Sequence, residues 1–148
     1  MVIAERDTSK KGEAFSIRLS ASTDFYVENE AKRRRRSKSS IVEALTEEAA
    51  RMHRFPGIAF MGEDYDRRAW IVGTGMDVWE LVELRRSYGG DDAALVMDFP
   101  RVTHRHLRLA QVYHASHPEE IDDAIAQNNL TDDELRILFP FAEFVEVD

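Results

Sequence analysis

Apolar and polar side chains alternate from Ala14 to Ser20: Phe15, Ile17 and Leu19 face one way, Ala14, Ser16, Arg18 and Ser20 the other. A period of two predicts a half-buried strand. No second strand follows within hairpin distance, so this one needs a partner strand from elsewhere to satisfy its backbone. The period then changes. Ser22, Thr23 and Asp24 are candidate helix caps, and Val27 and Ala31, four apart, share a stripe that predicts a helix to about Arg33. Ser37 is the next candidate cap. After it Ile41, Leu45, Ala49 and Met52 recur at four, four and three, the stripe of an amphipathic helix reaching about His53, and Arg54-Phe55-Pro56-Gly57 ends it.

Beyond Pro56 two short apolar runs, residues 57–61 and 68–72, flank the loop-like GEDYDR and predict a β-hairpin. Gly73-Thr74-Gly75 is a weak phosphate-loop match, because no Lys follows and Asp77 would repel a phosphate. It reads instead as a turn into a helix capped near Asp77. That helix runs from Val78 to about Tyr88 with Val78, Leu81, Val82 and Arg85 on one side, and Gly89-Gly90 stops it. A short helix over 93–98 follows. Thr103 caps a third, reaching about His114, with Leu107, Ala110 and Val112 or Tyr113 inward. Pro118 opens a fourth, with Glu119 and Glu120 in its first turn. Thr131-Asp132-Asp133-Glu134 is a capping box opening a last short helix, striped by Leu135, Leu138 and Phe139 and ended by Pro140.

Charge changes this picture. The formal net charge is −8, yet residues 1–56 hold 12 Lys/Arg and 9 Asp/Glu, whereas residues 57–148 hold 8 and 19. Such asymmetry suggests a front that meets a polyanion and a back that does not. The front's densest cluster is KRRRRSKSS, residues 32–40. It spans the end of one predicted helix and the start of the next, which argues against a targeting signal on a tail. There are no cysteines, so disulfides, thiolate zinc sites and cysteine nucleophiles are excluded. The N-terminus has no apolar segment of signal-peptide length, and no run approaches the roughly 20 apolar residues of a membrane span. The expectation is a soluble, cytoplasmic bacterial protein.

Strand, helix, short turn, helix within about 40 residues resembles the ribbon-helix-helix family of dimeric bacterial DNA-binding proteins. The residues that carry the likeness are the strand FSIRLS, the stripe Val27/Ala31 and the second-helix opening SKSSIVEAL, over residues 13–54. The resemblance implies that strands of two chains pair into a ribbon that lies in the major groove. Ala14, Ser16 and Arg18 would then face base edges, with Arg the usual bidentate donor to guanine. Ser37, Lys38 and Ser39 would hold a backbone phosphate at a helix N-terminus, and Arg33, Arg34, Arg35 and Arg36 would add affinity without reading sequence. One departure is that the inter-helix turn, often glycine in that family, carries Arg34-Arg35 here.

The stretch from Trp70 to Asp122 is similar to the domain-of-unknown-function family numbered four-three-three. The matching elements are Gly73-Thr74-Gly75-Met76, Leu95 to Pro100 and Val102-Thr103, with Gly75 where the family has an Arg. That likeness covers residues 57–128 and implies a helix-turn-helix-like unit. Thr103, His104, Arg105 and Arg108 open its would-be recognition helix; a packing or partner-binding module is the alternative. Members of the family look like antitoxins encoded beside PIN-like ribonuclease toxins. The acidic tail carries Leu135, Leu138, Phe139, Phe141, Phe144 and Val145, which either fold back or dock on a partner, by analogy a toxin.

The expected fold is therefore mainly α with small β elements. It comprises a ribbon-helix-helix domain over 1–55, a hairpin plus helix-turn-helix-like domain over 56–128, and a partner-binding segment over 129–148. The expected function is that of a type II antitoxin: a homodimer or higher even oligomer that binds operator DNA and neutralises a ribonuclease toxin. The alternative is a DNA-binding regulator without a toxin. His53, His104, His106, His114 and His117 form no ligand spacing such as HExxH, no nucleophile elbow appears, and adjacent carboxylates such as Asp91-Asp92 diverge on a helix. No catalysis, metal or cofactor is expected, and no membrane.

Overall fold

Ser20, the last residue of the predicted strand, starts the first helix. In the computed structural model, which describes residues 11–143, residues 11–20 form neither helix nor strand. Helix α1 spans Ala21–Arg34, and the Ser20 Oγ accepts the Thr23 N–H at 3.4 Å. The cap therefore lies ahead of Ser22, Thr23 and Asp24. Ser20 sits three residues before the N–H it accepts, and Asp24 is left in the first turn, where the helix dipole favours an acid.

Helix α1 ends at Arg35, whose φ of 53° and ψ of 42° are left-handed. The Arg35 N–H donates to the Lys32 carbonyl at 3.3 Å and the Arg36 N–H to the Ala31 carbonyl at 3.0 Å. This crossed pair is a Schellman closure, made here without glycine. Helix α2, Lys38–Arg54, follows at once. Ser37 caps it, its Oγ accepting the Ser40 N–H at 3.1 Å.

The chain falls into two compact units, residues 1–43 and 44–148, and the division lies within α2. Among the described residues of the first unit only Val27 and Ile41 are buried.

The second unit opens with the C-terminal half of α2. Its predicted stripe fades there, with Ala49 exposed and Met52 44% exposed. Other groups hold this half. Arg67 grips Glu48 through two hydrogen bonds of 2.7 and 2.6 Å. Phe55, 5% exposed, enters the core. Arg51 Nη1 donates to the Tyr113 hydroxyl at 3.1 Å and to Glu120 Oε2 at 2.6 Å, and that hydroxyl donates to Glu120 Oε1 at 2.9 Å.

Strand β1, Ile58–Met61, pairs antiparallel with β2, Arg68–Ile71, with Ile58 opposite Ile71 and Met61 opposite Arg68. Gly62 turns the chain out of β1 with a φ of 97°, and a side chain there would collide with the Asp66 carbonyl. A third strand, β3, Met76–Asp77, adds to β2 and was not anticipated from the hydrophobic pattern, being only two residues long. The buried Thr74 makes it: its hydroxyl donates to the Ile71 carbonyl at 2.8 Å and accepts the Met76 N–H at 3.0 Å. The Gly-Thr-Gly segment thus spends its hydroxyl on closing a turn between strands.

Five α-helices follow among the described residues: α3, Val78–Ser87; α4, Asp92–Asp98; α5, His104–Ser116; α6, Pro118–Asn128; and α7, Asp132–Leu138. Asp91, Thr103 and Thr131 cap α4, α5 and α7 with side-chain oxygens. The core gathers Ile71, Val78, Leu81, Leu95, Val102, Leu107, Tyr113 and Ile121. Helix α3 lies at its centre, against both α5 and α6. Of the two candidates on α5, Tyr113 is fully buried and Val112 is half exposed. Helix α7 buries no residue.

Candidate nucleic-acid interface

The cationic block is built around Glu30. Arg33 Nη2 and Arg34 Nε both donate to Glu30 Oε2 at 2.8 Å, from positions one turn further along α1. The hydrogen bond from Arg33 is the largest influence on the Glu30 carboxyl, partial desolvation opposes it, and Arg34 adds to the lowering; together they bring its pKa from 4.5 to about 2. Arg36 Nε donates to Ser40 Oγ at 2.8 Å, bracing the start of α2. Lys38 pairs with Asp24, and its Nζ lies 3.7 Å from Glu28, so it ties the N-terminus of α2 back to α1. Arg35 and Lys32 form no ion pair among the described residues. Part of the block therefore shapes the helix pair, and the charge it offers outward is smaller than the sequence suggests.

Ala14, Ser16 and Arg18 lie in the irregular stretch before α1 and are exposed. So are the apolar residues between them: Phe15 is 84% exposed and Ile17 55%. The strand-like alternation has no buried side within one chain. Arg33, Arg35, Ser37, Lys38 and Ser39 are exposed, while Arg34 and Arg36 are half-buried by the contacts above. Nearby on α1, Phe25 is 70% exposed and Tyr26 54%.

In the second unit Thr103, His104, Arg105 and Arg108 are exposed at the start of α5. Thr103 Oγ1 accepts the His106 N–H at 3.3 Å, and the His106 ring accepts the Thr103 N–H at 3.2 Å. His104, Arg105 and Arg108 join Asp92 and Gln111 around an open groove of about 400 Å³. Gln111 was not anticipated; it lies one turn beyond Arg108 and shares its face.

Two further histidines meet local side chains. His114 Nε2 lies 2.9 Å from Asp122, and His117 stacks on Tyr113 with centroids 4.6 Å apart. Burial, then the neighbouring Arg51 charge, holds the His117 pKa below its usual value. Among the described residues no group of three or more His or carboxylate side chains could hold a metal ion, and no helix is long and apolar enough to cross a membrane.

On the tail, Leu135 is half-buried, and Leu138, Phe139 and Phe141 are 56%, 45% and 85% exposed. The described part of the stripe does not fold into the core. Phe144 and Val145 lie outside the described residues. The chain matches no protein-family model, no curated protein and no solved structure.

Proposed function

We propose that this chain is a dimeric DNA-binding antitoxin, which represses through its N-terminal unit and holds a toxin through its C-terminal segment. One observation carries the reading: the first unit is unfinished as a single chain. It buries only Val27 and Ile41 among its described residues while Phe15, Ile17, Phe25 and Tyr26 stay exposed. A unit of 43 residues lies close to the size, about 40 residues, below which oligomerisation, metals or disulfides are usually needed. With no cysteine in the chain, a second copy is the simplest completion. Pairing residues 14–20 of two chains would cover Phe15 and Ile17 and satisfy the backbone between them. It would turn Ala14, Ser16 and Arg18 outward to base edges, with the start of α2 and Arg35 against phosphates.

The toxin half of the reading is supported by α7 and the residues after it, where Ile137, Leu138, Phe139 and Phe141 remain exposed amid acids. An amphipathic helix with an uncovered apolar face fits a partner's groove. The nuclease nature of that partner rests on the family likeness alone.

The decisive test changes Phe15 and Ile17 to Asp in the full chain. Sedimentation should show a dimer for the natural protein and a monomer for the variant, with duplex-DNA binding lost alongside. A variant that still sediments as a dimer and binds DNA normally would refute the ribbon. Co-expression with the adjacent open reading frame tests the other half: rescue of growth and a stable complex are expected. A harmless neighbour would leave a DNA-binding regulator without a toxin.

A further inference from the structure

The second unit contains ten arginines and no lysine. Six of the ten meet carboxylates: Arg51 with Glu120, Arg67 with Glu48, Arg68 with Asp77, Arg85 with Asp92, Arg86 with Asp122 and Arg136 with Asp133. Arg54 lies over the Phe55 ring. The remaining three, Arg101, Arg105 and Arg108, form no ion pair among the described residues. They stand together in sequence, on the turn before α5 and on its first two turns.

This is not for want of acids. Residues 57–148 carry 19 Asp/Glu. Yet α5, HRHLRLAQVYHAS, has none, and among the described residues it is the one α-helix without a carboxylate. A folded surface this acidic ordinarily pairs its arginines, as it does at six other places. Three arginines without an ion pair among the described residues, beside one acid-free helix, leave their charge for an external anion.

Geometry narrows the ligand. His104, Arg105, Arg108 and Gln111 follow the spacing i, i+1, i+4 and i+7, so they form one continuous face. Leu107, Ala110 and Tyr113 bury the opposite face. The groove's only lining acid, Asp92, is already held by Arg85 at 2.7 Å. At its head lies the α5 N-terminus, whose first N–H groups have no carbonyl within the helix. Cations in a row, an amide side chain and a helix start suit a phosphodiester backbone better than a single small anion.

We infer that α5 is a second contact of this protein with duplex DNA, clasping backbone phosphates through Arg105 and Arg108 with His104 and Gln111 beside them. The inference extends the proposed DNA-binding function but stands on separate residues. Each phosphate neutralised should appear in the salt dependence of affinity, at about 0.9 in the log–log slope.

The test measures binding of the full chain to a labelled random-sequence duplex across roughly 50 to 200 mM salt, the range over which such contacts separate. Four proteins are compared: the natural chain, Arg105→Ala with Arg108→Ala, Arg105→Lys with Arg108→Lys, and Arg18→Ala with Arg35→Ala. The first pair should weaken binding and flatten the slope by about 2, and the lysine pair should restore it. An unchanged slope in the alanine pair overturns the inference. If only the Arg18/Arg35 pair changes the slope, the N-terminal reading stands and this one falls; if only the Arg105/Arg108 pair does, the reverse holds. If polyglutamate at equal charge competes as well as DNA, the arginines serve an acidic protein, and the inference also fails.

Discussion

Arg35 is the single non-glycine residue with positive φ among the described residues. A left-handed conformation costs an L-residue about 1–2 kcal/mol, and glycine avoids most of that cost. Arg35→Gly should therefore raise the thermal stability of the N-terminal unit by about 1 kcal/mol. The same change removes a cation that has no ion pair among the described residues, so on the proposed function affinity for duplex DNA should fall. A variant both more stable and a poorer binder would mean that strain is kept here for the sake of charge. One acid governs the neighbouring cations. Glu30 titrates near 2 rather than 4.5, so its pairing stabilises the folded unit fully above 4.5. That contribution is lost as pH falls from 4.5 toward 2. Glu30→Gln should abolish it, and α1 helicity followed by circular dichroism should then lose this part of its acid sensitivity.

Among the elements, α5 packs its buried face against α3 in the core of the second unit. Leu107 is 1% exposed and packs in the core beside Leu81, so Leu107→Ala should cost roughly 2–5 kcal/mol in chemical denaturation. The contacts around Tyr113 join α2, α5 and α6. Tyr113→Phe keeps the ring stacking but takes a hydrogen-bonding group from Arg51 and Glu120, and should cost about 1 kcal/mol. His117 gives this cluster a pH dependence. Its pKa lies below 6.5, so the folded unit favours the neutral ring, and stability should decline as pH falls below 6.5. Replacing His117 with Gln should reduce that decline in melts taken at successive pH values.

Elements with strong periodicity were legible in the sequence: the α2 stripe as far as Leu45, the hairpin runs, and the caps at Ser37, Thr103 and Thr131. Those set by tertiary contact were not. Strand β3 exists because Thr74 closes a turn, a bond no hydrophobic pattern records. Ser20 was legible as the end of the strand alternation but not as the cap, because Ser22, Thr23 and Asp24 just after it are equally good capping types. At the candidate interface the residue types were legible, but their engagement was not. Nothing in RRRR tells which guanidinium meets Glu30 and which stays outward, since that depends on helix phase and on the Arg35 turn.

For the chain as a whole, residues 1–56 hold 12 Lys/Arg to 9 Asp/Glu and residues 57–148 hold 8 to 19, a division that fits the proposed roles. Truncation after Asn129 removes α7 and the closing segment while sparing the core, to which α7 contributes no buried residue. On the proposed function, the truncated chain should still bind duplex DNA and should fail to hold the proposed toxin in a pull-down. Equal toxin capture by both lengths would place the docking surface elsewhere.

The buried Tyr113 also gives the protein an optical signal of its own. Burial first, then the Glu120 charge, pushes its phenol well above the ordinary value of 10.0. An alkaline titration followed by ultraviolet absorbance reads the Tyr113 phenol. The Tyr113 phenolate should wait until the second unit opens, so its late rise would time unfolding without any label.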